Sequence, residues 1–199
     1  MSDDKKIYAR CAEHFKTHKA KIVLDTDRYL VIDWRKEDGS SEYYVNFVVD
    51  KQLGSLIVNG DLGRSIAVWG NPIEPSKLKD WIYSDIGYYI QKLSCGCASD
   101  LYYYTVDDVV ADIKSRIEDD DACLNEAPDE YAEFWDNVET AVQKSLHNLH
   151  FIPDSELVNL LSEKDDNCYE WLSHCGERIN KRVYFWAVGF YMACQQLGI

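Results

Sequence analysis

The sequence predicts an α+β fold with an N-terminal helix, a four-stranded antiparallel meander and a mostly helical C-terminal half that packs on the sheet. Two observations support this prediction. Alternating β-branched and aromatic residues with glycine-containing turns precede residue 72, and apolar residues follow a helical spacing after residue 73. A small sheet needs a covering layer, which these helices provide. We therefore predict a single domain over residues 1–199, with the helix and sheet in 1–72 and the helical part in 73–199.

The N-terminal part begins with a helix and continues as the meander. Apolar residues at helical spacing within residues 4–18 predict a short amphipathic helix. Four segments rich in β-branched and aromatic residues then predict strands. They span residues 29–34, 43–49, 55–58 and 65–69. The Asn59-Gly60 pair marks a hairpin, and Asp61 with Gly63 favours a loop longer than two residues.

Five helices are predicted in the C-terminal half from the spacing of their apolar residues. They span residues 75–93, 105–117, 128–150, 153–164 and 178–197. Thr105 is a suitable N-cap, and Asp107 and Asp108 favour a helix start through the helix dipole. Residues 183–194 carry no charge and predict a core helix, being too few to span a bilayer. The alternative is an exposed face that forms a homodimer or docks a partner.

Composition and charge exclude several classes of protein. The chain has 199 residues, and its 46% hydrophobic content is typical of a folded protein. Its 35 acidic and 21 basic residues give a net charge of −14, which disfavours direct nucleic-acid binding because that needs cations at the phosphates. No apolar run is long enough for a spanning helix, and the N-terminus lacks a secretory signal. Seven cysteines without export signals predict a cytoplasmic location.

Most of the negative charge lies in residues 105–140. This segment holds thirteen acidic residues and two basic ones, Lys114 and Arg116, so it carries −11 of the net −14. Because the acids alternate with the apolar stripes of two predicted helices, folding places them on outer faces. We predict a surface for a basic partner protein, the alternative being a solvated face that serves solubility alone. The predicted partner-binding residues are Asp107, Asp108, Asp112, Glu118, Asp119, Asp120, Asp121, Asp129, Glu130, Glu133, Asp136 and Glu139.

Motifs for chemistry are weak, and we predict no cofactor, no metal site and no catalytic residue. Cys95-Gly-Cys97 lacks the second cysteine pair of a zinc ribbon, although Cys123 or His174-Cys175 would complete a tetrahedral site. The sequence lacks the glycine patterns of phosphate-binding loops and serine hydrolases. The alternative class is a small accessory enzyme or a metal-supported protein that uses these cysteine and histidine residues.

A family resemblance is carried by residues 53–69, which read LGSLIVNGDLGRSIAVW, and by residues 83–89 of the following helix, which read YSDIGYY. This pattern resembles a segment of uncharacterised phage and prophage proteins of Firmicutes. Small acidic phage proteins of this kind include anti-CRISPR inhibitors, which commonly occupy the nucleic-acid surface of a host defence nuclease. The resemblance implies a host bacterial cytoplasm and an inhibitory function, and it transfers no functional residues.

Charge and resemblance together predict a phage-encoded, non-enzymatic inhibitor of a host nucleic-acid-processing protein, with a CRISPR effector as the expected partner. The acidic helical surface would compete with nucleic acid for the basic surface of that partner. No membrane and no direct nucleic-acid contact is expected. An oligomeric structural or interaction protein is a further alternative.

Overall fold

The computed structural model describes residues 3–95, 101–119, 128–148 and 150–199, and it has the α+β architecture that the sequence predicts. The chain forms two compact units. The sheet unit comprises Met1–Leu101 and Asn180–Ile199, and the helical unit comprises Tyr102–Ile179. The single domain over residues 1–199 stays a prediction.

The sheet unit contains a six-stranded antiparallel sheet whose strands follow one another in chain order from edge to edge. Its strands are β1 (His18–Asp25), β2 (Tyr29–Lys36), β3 (Val45–Asp50), β4 (Ser55–Gly60), β5 (Gly63–Val68) and β6 (Leu93–Cys95). Its helices are α1 (Asp3–His14), α2 (Pro75–Ser84), α3 (Ile86–Gln91) and, at the end of the chain, α8 (Lys181–Leu197).

The sheet has six strands where the sequence predicts four. The predicted strands correspond to β2–β5, and β1 and β6 extend the meander at its two edges. The first four residues of β1, HKAK, are more polar than a typical strand, and β6 has only three residues, so neither gave a clear periodic signal. The loop between β4 and β5 is shorter than predicted, because Gly60 pairs directly with Gly63 across two intervening residues.

One face of the sheet and helix α8 form the core of this unit. Leu30, Ile32 and Trp34 alternate along β2 and are at most 2% exposed, which places them on the buried face. Gly189 lets α8 pack closely against the ring of Phe15, since a Cβ at this position would lie only 3.3 Å from the ring atoms. The interpretation of residues 183–194 as a core helix agrees with this structure, in which nine residues of α8 are buried. In the described part of the chain, no helix combines the length and apolar character needed to cross a membrane.

The helical unit has its own core. Its helices are α4 (Val106–Asp119), α5 (Pro128–Ser145), α6 (Ser155–Ser162) and α7 (Cys168–Trp171), with a 3-10 turn at Leu172–His174. Its short strands are β7 (Tyr102–Tyr103), β8 (Leu146–His147), β9 (His150–Phe151) and β10 (Arg178–Ile179). The core is made of apolar residues from α4, α5 and α6, with Val109, Val138 and Leu157 fully buried.

Two boundaries of the helical unit can be compared with the sequence. Thr105 caps α4 as predicted, since its hydroxyl accepts a hydrogen bond from the backbone N–H of Asp108 at 3.1 Å. Helix α5 ends at Ser145 rather than at residue 150, because the chain turns there into the β8–β9 hairpin, with Asn148 at φ +50°.

His18, at the start of β1, is a fully buried histidine. Its ring contacts Phe15 and Trp34, with centroids 4.9 and 5.4 Å away. Nε2 lies 3.3 Å from the carbonyl oxygen of Tyr43, and because a carbonyl only accepts, Nε2 carries the proton. Nδ1 is buried without a hydrogen-bond partner among the described residues. Burial lowers the pKa of His18 below its usual 6.5, assisted by the charge of Lys36 and opposed by the hydrogen bond to Tyr43.

We expect His18 to make the free energy of unfolding depend on pH. The unfolded chain takes up a proton at His18 at a higher pH than the native chain, so the free energy of unfolding falls as the pH is lowered through 6.5. We expect His18→Gln to remove this part of the pH dependence in urea unfolding, whereas His174→Gln, at a side chain that is 77% exposed, keeps it. A wild-type stability that does not change between pH 7.5 and 5.5 would contradict this role of His18.

Candidate functional site

The acidic residues of α4 lie on two sides of the helix. Asp108 and Asp112, four residues apart, both contact Arg178, the first residue of β10, and their side chains are about one-third exposed. Asp107 is exposed and lines a different part of the surface, together with Glu139 of α5. The predicted partner-binding acids of α4 therefore do not form one surface.

Arg178 binds the first pair of acids. Its Nε donates to Asp108 Oδ1 at 3.0 Å, and its Nη1 and Nη2 donate to the two carboxylate oxygens of Asp112 at 3.0 and 2.9 Å. The backbone N–H of Gly176 adds a hydrogen bond to Asp112 at 2.7 Å. Gly176 has φ +74°, and a Cβ there would lie 2.3 Å from a methyl group of Val109, so only glycine fits this close approach to α4.

This arrangement corrects the charge estimate made from the sequence. Only Lys114 and Arg116 oppose the acids in residues 105–140, but folding brings in Arg178, which neutralises part of the charge of Asp108 and Asp112. The hydrogen bond from Arg178 and the N–H of Gly176 lower the pKa of Asp112 below its usual value, although partial burial opposes them. The two carboxylates therefore hold the segment before β10 against α4.

We expect Arg178→Met to lower the free energy of unfolding by about 1–2 kcal/mol, because it leaves two partly buried carboxylates without their charged donor and the cluster is partly screened by water. Chemical denaturation at pH 7 measures this loss. Arg10→Met is the matched control, since it removes the same charge from an exposed position on α1, away from this cluster. Equal stability of the two variants would show that the Arg178 cluster has no structural role.

The acids of α5 whose side chains the structure describes are exposed. Glu133, Asp136 and Glu139 recur every three residues on the side opposite the buried Phe134 and Val138. Among the described residues, no salt bridge involves Glu133 or Asp136, and Glu139 has only a long hydrogen bond of 3.5 Å from the amide of Gln143. We call these three residues the α5 acidic face.

A shallow depression borders the α5 acidic face. It has a volume of about 290 Å³ and is lined by Asp107, Lys114 and Glu139 together with apolar residues of α4. The ammonium group of Lys114 lies 5.0 Å from the centroid of the Trp135 ring, and at this distance the ring attracts the positive charge. Lys114 is therefore a cation beside this end of the α5 acidic face, and Asp107 joins the acids here.

The remaining predicted acids lie outside what the structure describes. Asp120 and Asp121 are not among the described residues, and the side chains of Glu118, Asp119, Asp129 and Glu130 are likewise outside the described part. Their contribution to partner binding stays a prediction.

Of the Cys/His alternative, the structure describes only His174 and Cys175. Cys97 and Cys123 lie outside the described residues, as does the side chain of Cys95. Cys175 is buried, and burial raises the pKa of its thiol to about 12, with the nearby carboxylate of Asp112 adding to the rise. A thiol with this pKa has almost no thiolate at neutral pH and is a poor nucleophile. His174 is exposed, and its Nδ1 lies 3.6 Å from Glu177. Among the described residues, no three His, Cys, Asp or Glu side chains converge to hold a metal ion.

We expect Cys175 to resist alkylation by iodoacetamide at pH 7.5 until the protein is unfolded, because its thiol is both buried and protonated. Peptide mass spectrometry reads the modification at each cysteine separately. The urea-unfolded protein is the control in which Cys175 is labelled. Rapid labelling of Cys175 in the native protein would restore the nucleophile hypothesis.

Comparisons with protein-family models, with curated proteins and with solved structures find no match.

Proposed function

We propose that this protein is a phage-encoded, non-enzymatic inhibitor that acts in the bacterial cytoplasm by binding the basic nucleic-acid surface of a host defence nuclease, with a CRISPR effector as the expected target. The observation that carries the proposal is the α5 acidic face. Its three carboxylates are exposed, whereas Asp108 and Asp112 are bound to Arg178. Phage context comes from the resemblance of residues 53–69.

The spacing of the α5 acidic face suits a surface that normally binds nucleic acid. Residues three apart on a helix rise by about 4.5 Å, and phosphates follow one another at about 3.4 Å of axis along each DNA strand. A channel lined with Lys and Arg would therefore meet negative charges at a comparable interval. Such an attraction acts over several ångströms and weakens as salt is added.

The helix that carries these acids is firmly held. Phe134, Val138 and Val142 of α5 are buried in the core of the helical unit. The carboxylates on the opposite side therefore project from a fixed backbone, so less conformational entropy is lost when a partner binds. A mobile acidic tail would lack this advantage.

Charge reversal of the α5 acidic face tests the proposal. We expect Glu133→Lys/Asp136→Lys/Glu139→Lys to weaken capture of a basic nuclease from host lysate by at least about tenfold, because attraction becomes repulsion. The matched control reverses three exposed acids of the sheet unit, Asp27→Lys/Glu37→Lys/Asp80→Lys, with the same change of net charge. Circular dichroism shows whether both variants keep their helical and strand content.

The control variant distinguishes binding through the α5 acidic face from binding driven by net charge alone. If both triple variants lose capture equally, the total charge of −14 and not the α5 acidic face drives binding. If neither loses it, the inhibitor does not bind through this face. Capture by the wild type should also fall as the salt concentration rises.

A further inference from the structure

A row of apolar side chains crosses the face of the sheet opposite α8. In the strand registers, Leu24 pairs with Val31, Val31 with Val48, Val48 with Ile57, and Ile57 with Ile66. Directly paired residues of antiparallel strands point to the same side of a sheet. The five residues therefore form one line from β1 to β5, which we call the apolar row.

The apolar row is partly open to solvent, with Val31, Val48 and Ile66 half-buried and its other two members exposed. Its neighbours along the strands, such as Ile32 and Val58, are fully buried on the α8 side. By contrast, Leu24 is 45% exposed and Ile57 is 38% exposed, although both are aliphatic. The solvent face of an antiparallel sheet normally carries polar residues, so an uninterrupted apolar row across five strands indicates a face that becomes covered.

Polar residues occupy the next row of the same face. The strand registers place Lys21, Asp33, Asn46, Asn59 and Arg64 side by side. Asp33 accepts hydrogen bonds from the Tyr44 hydroxyl at 2.8 Å and from the Asn46 amide at 3.2 Å. This row therefore carries one acid and two bases.

The charge of this face favours a second copy of the chain. Two molecules that each carry −14 repel one another over most of their surface. In the row just described the bases outnumber the acid, and the acid of the row on the other side, Asp50, is bound by Arg28, so the repulsion between copies is reduced at this face. A twofold axis brings identical patches together, and an apolar row is complementary to itself.

The size of the face is sufficient for a weak dimer. Five strands at about 4.8 Å and six residues at about 3.3 Å give a footprint of roughly 24 Å by 20 Å, or about 500 Å² on each copy, although its corner at Asp50 and Ser55 is already buried. Two copies would then bury at most about 1,000 Å², which is near the lower limit for specific interfaces. The C-terminal helix is a weaker candidate for this surface, because nine residues of α8 are already buried in the sheet unit.

We propose that two copies of this protein pack their sheets face to face, each burying its apolar row against the other. The sheets would lie about 10 Å apart, as in a β-sandwich, with the basic residues of the flanking row at the rim. This self-association is separate from the α5 acidic face, which belongs to the helical unit.

Sedimentation equilibrium over a wide range of protein concentration tests the proposal. We expect the wild type to pass from one chain to two chains as the concentration rises. Ile57→Lys should raise the dissociation constant at least about a hundredfold, because an ammonium would be buried without a partner. The matched control is Ile152→Lys, the same substitution at an isoleucine of the helical unit that is 61% exposed, and it should leave the dissociation constant unchanged.

A second row variant shows whether a folding defect, rather than the loss of the interface, explains weaker self-association. Leu24→Lys lies at the β1 end of the row, on the edge strand. It should weaken self-association as Ile57→Lys does, while the monomer keeps the thermal unfolding temperature of the wild type. A wild type that remains one chain at every concentration would overturn the proposal. A dimer that both row variants leave intact would overturn it as well, since the interface would then lie elsewhere.

Discussion

The helical unit depends on one cation, Arg178, bound between two carboxylates of α4. Its guanidinium contacts Asp112 through two nitrogens and Asp108 through the third, so the start of β10 is attached to the helix. Without it, two carboxylates four residues apart would repel each other. The acidic residues therefore differ in their contacts. Asp108 and Asp112 are bound to Arg178, whereas Glu133 and Asp136 on α5 are exposed and have no salt bridge among the described residues.

Much of the fold could be predicted from the sequence because its signals are local. Strands β2–β5 alternate inward and outward residues, and Thr105 caps α4 through a side chain three residues from the N–H that it binds. Strand β1 could not be predicted in this way, because as an edge strand its outer residues remain exposed and give no clear alternation of burial. The short hairpin after Ser145 interrupts a continuous helical pattern, and only tertiary packing decides where that helix ends.

The candidate site was predictable only in part. The exposure of Glu133 and Asp136 follows from their position opposite an apolar stripe. The pairing of Asp112 with Arg178 joins residues 66 positions apart, and nothing in the local pattern of either segment indicates it. The apolar row was also missed, because its members are single residues on five strands, and only the strand registers place them side by side.

Carboxylate footprinting of the complex with the captured nuclease tests the central claim most directly. Carbodiimide-activated labelling modifies exposed carboxylates, and mass spectrometry reads each position with and without the partner. The account predicts that Glu133, Asp136 and Glu139 lose labelling when the partner is bound, while the exposed Asp27 and Asp80 of the sheet unit are labelled equally in both samples. Unchanged labelling of the α5 acidic face in the complex would contradict it.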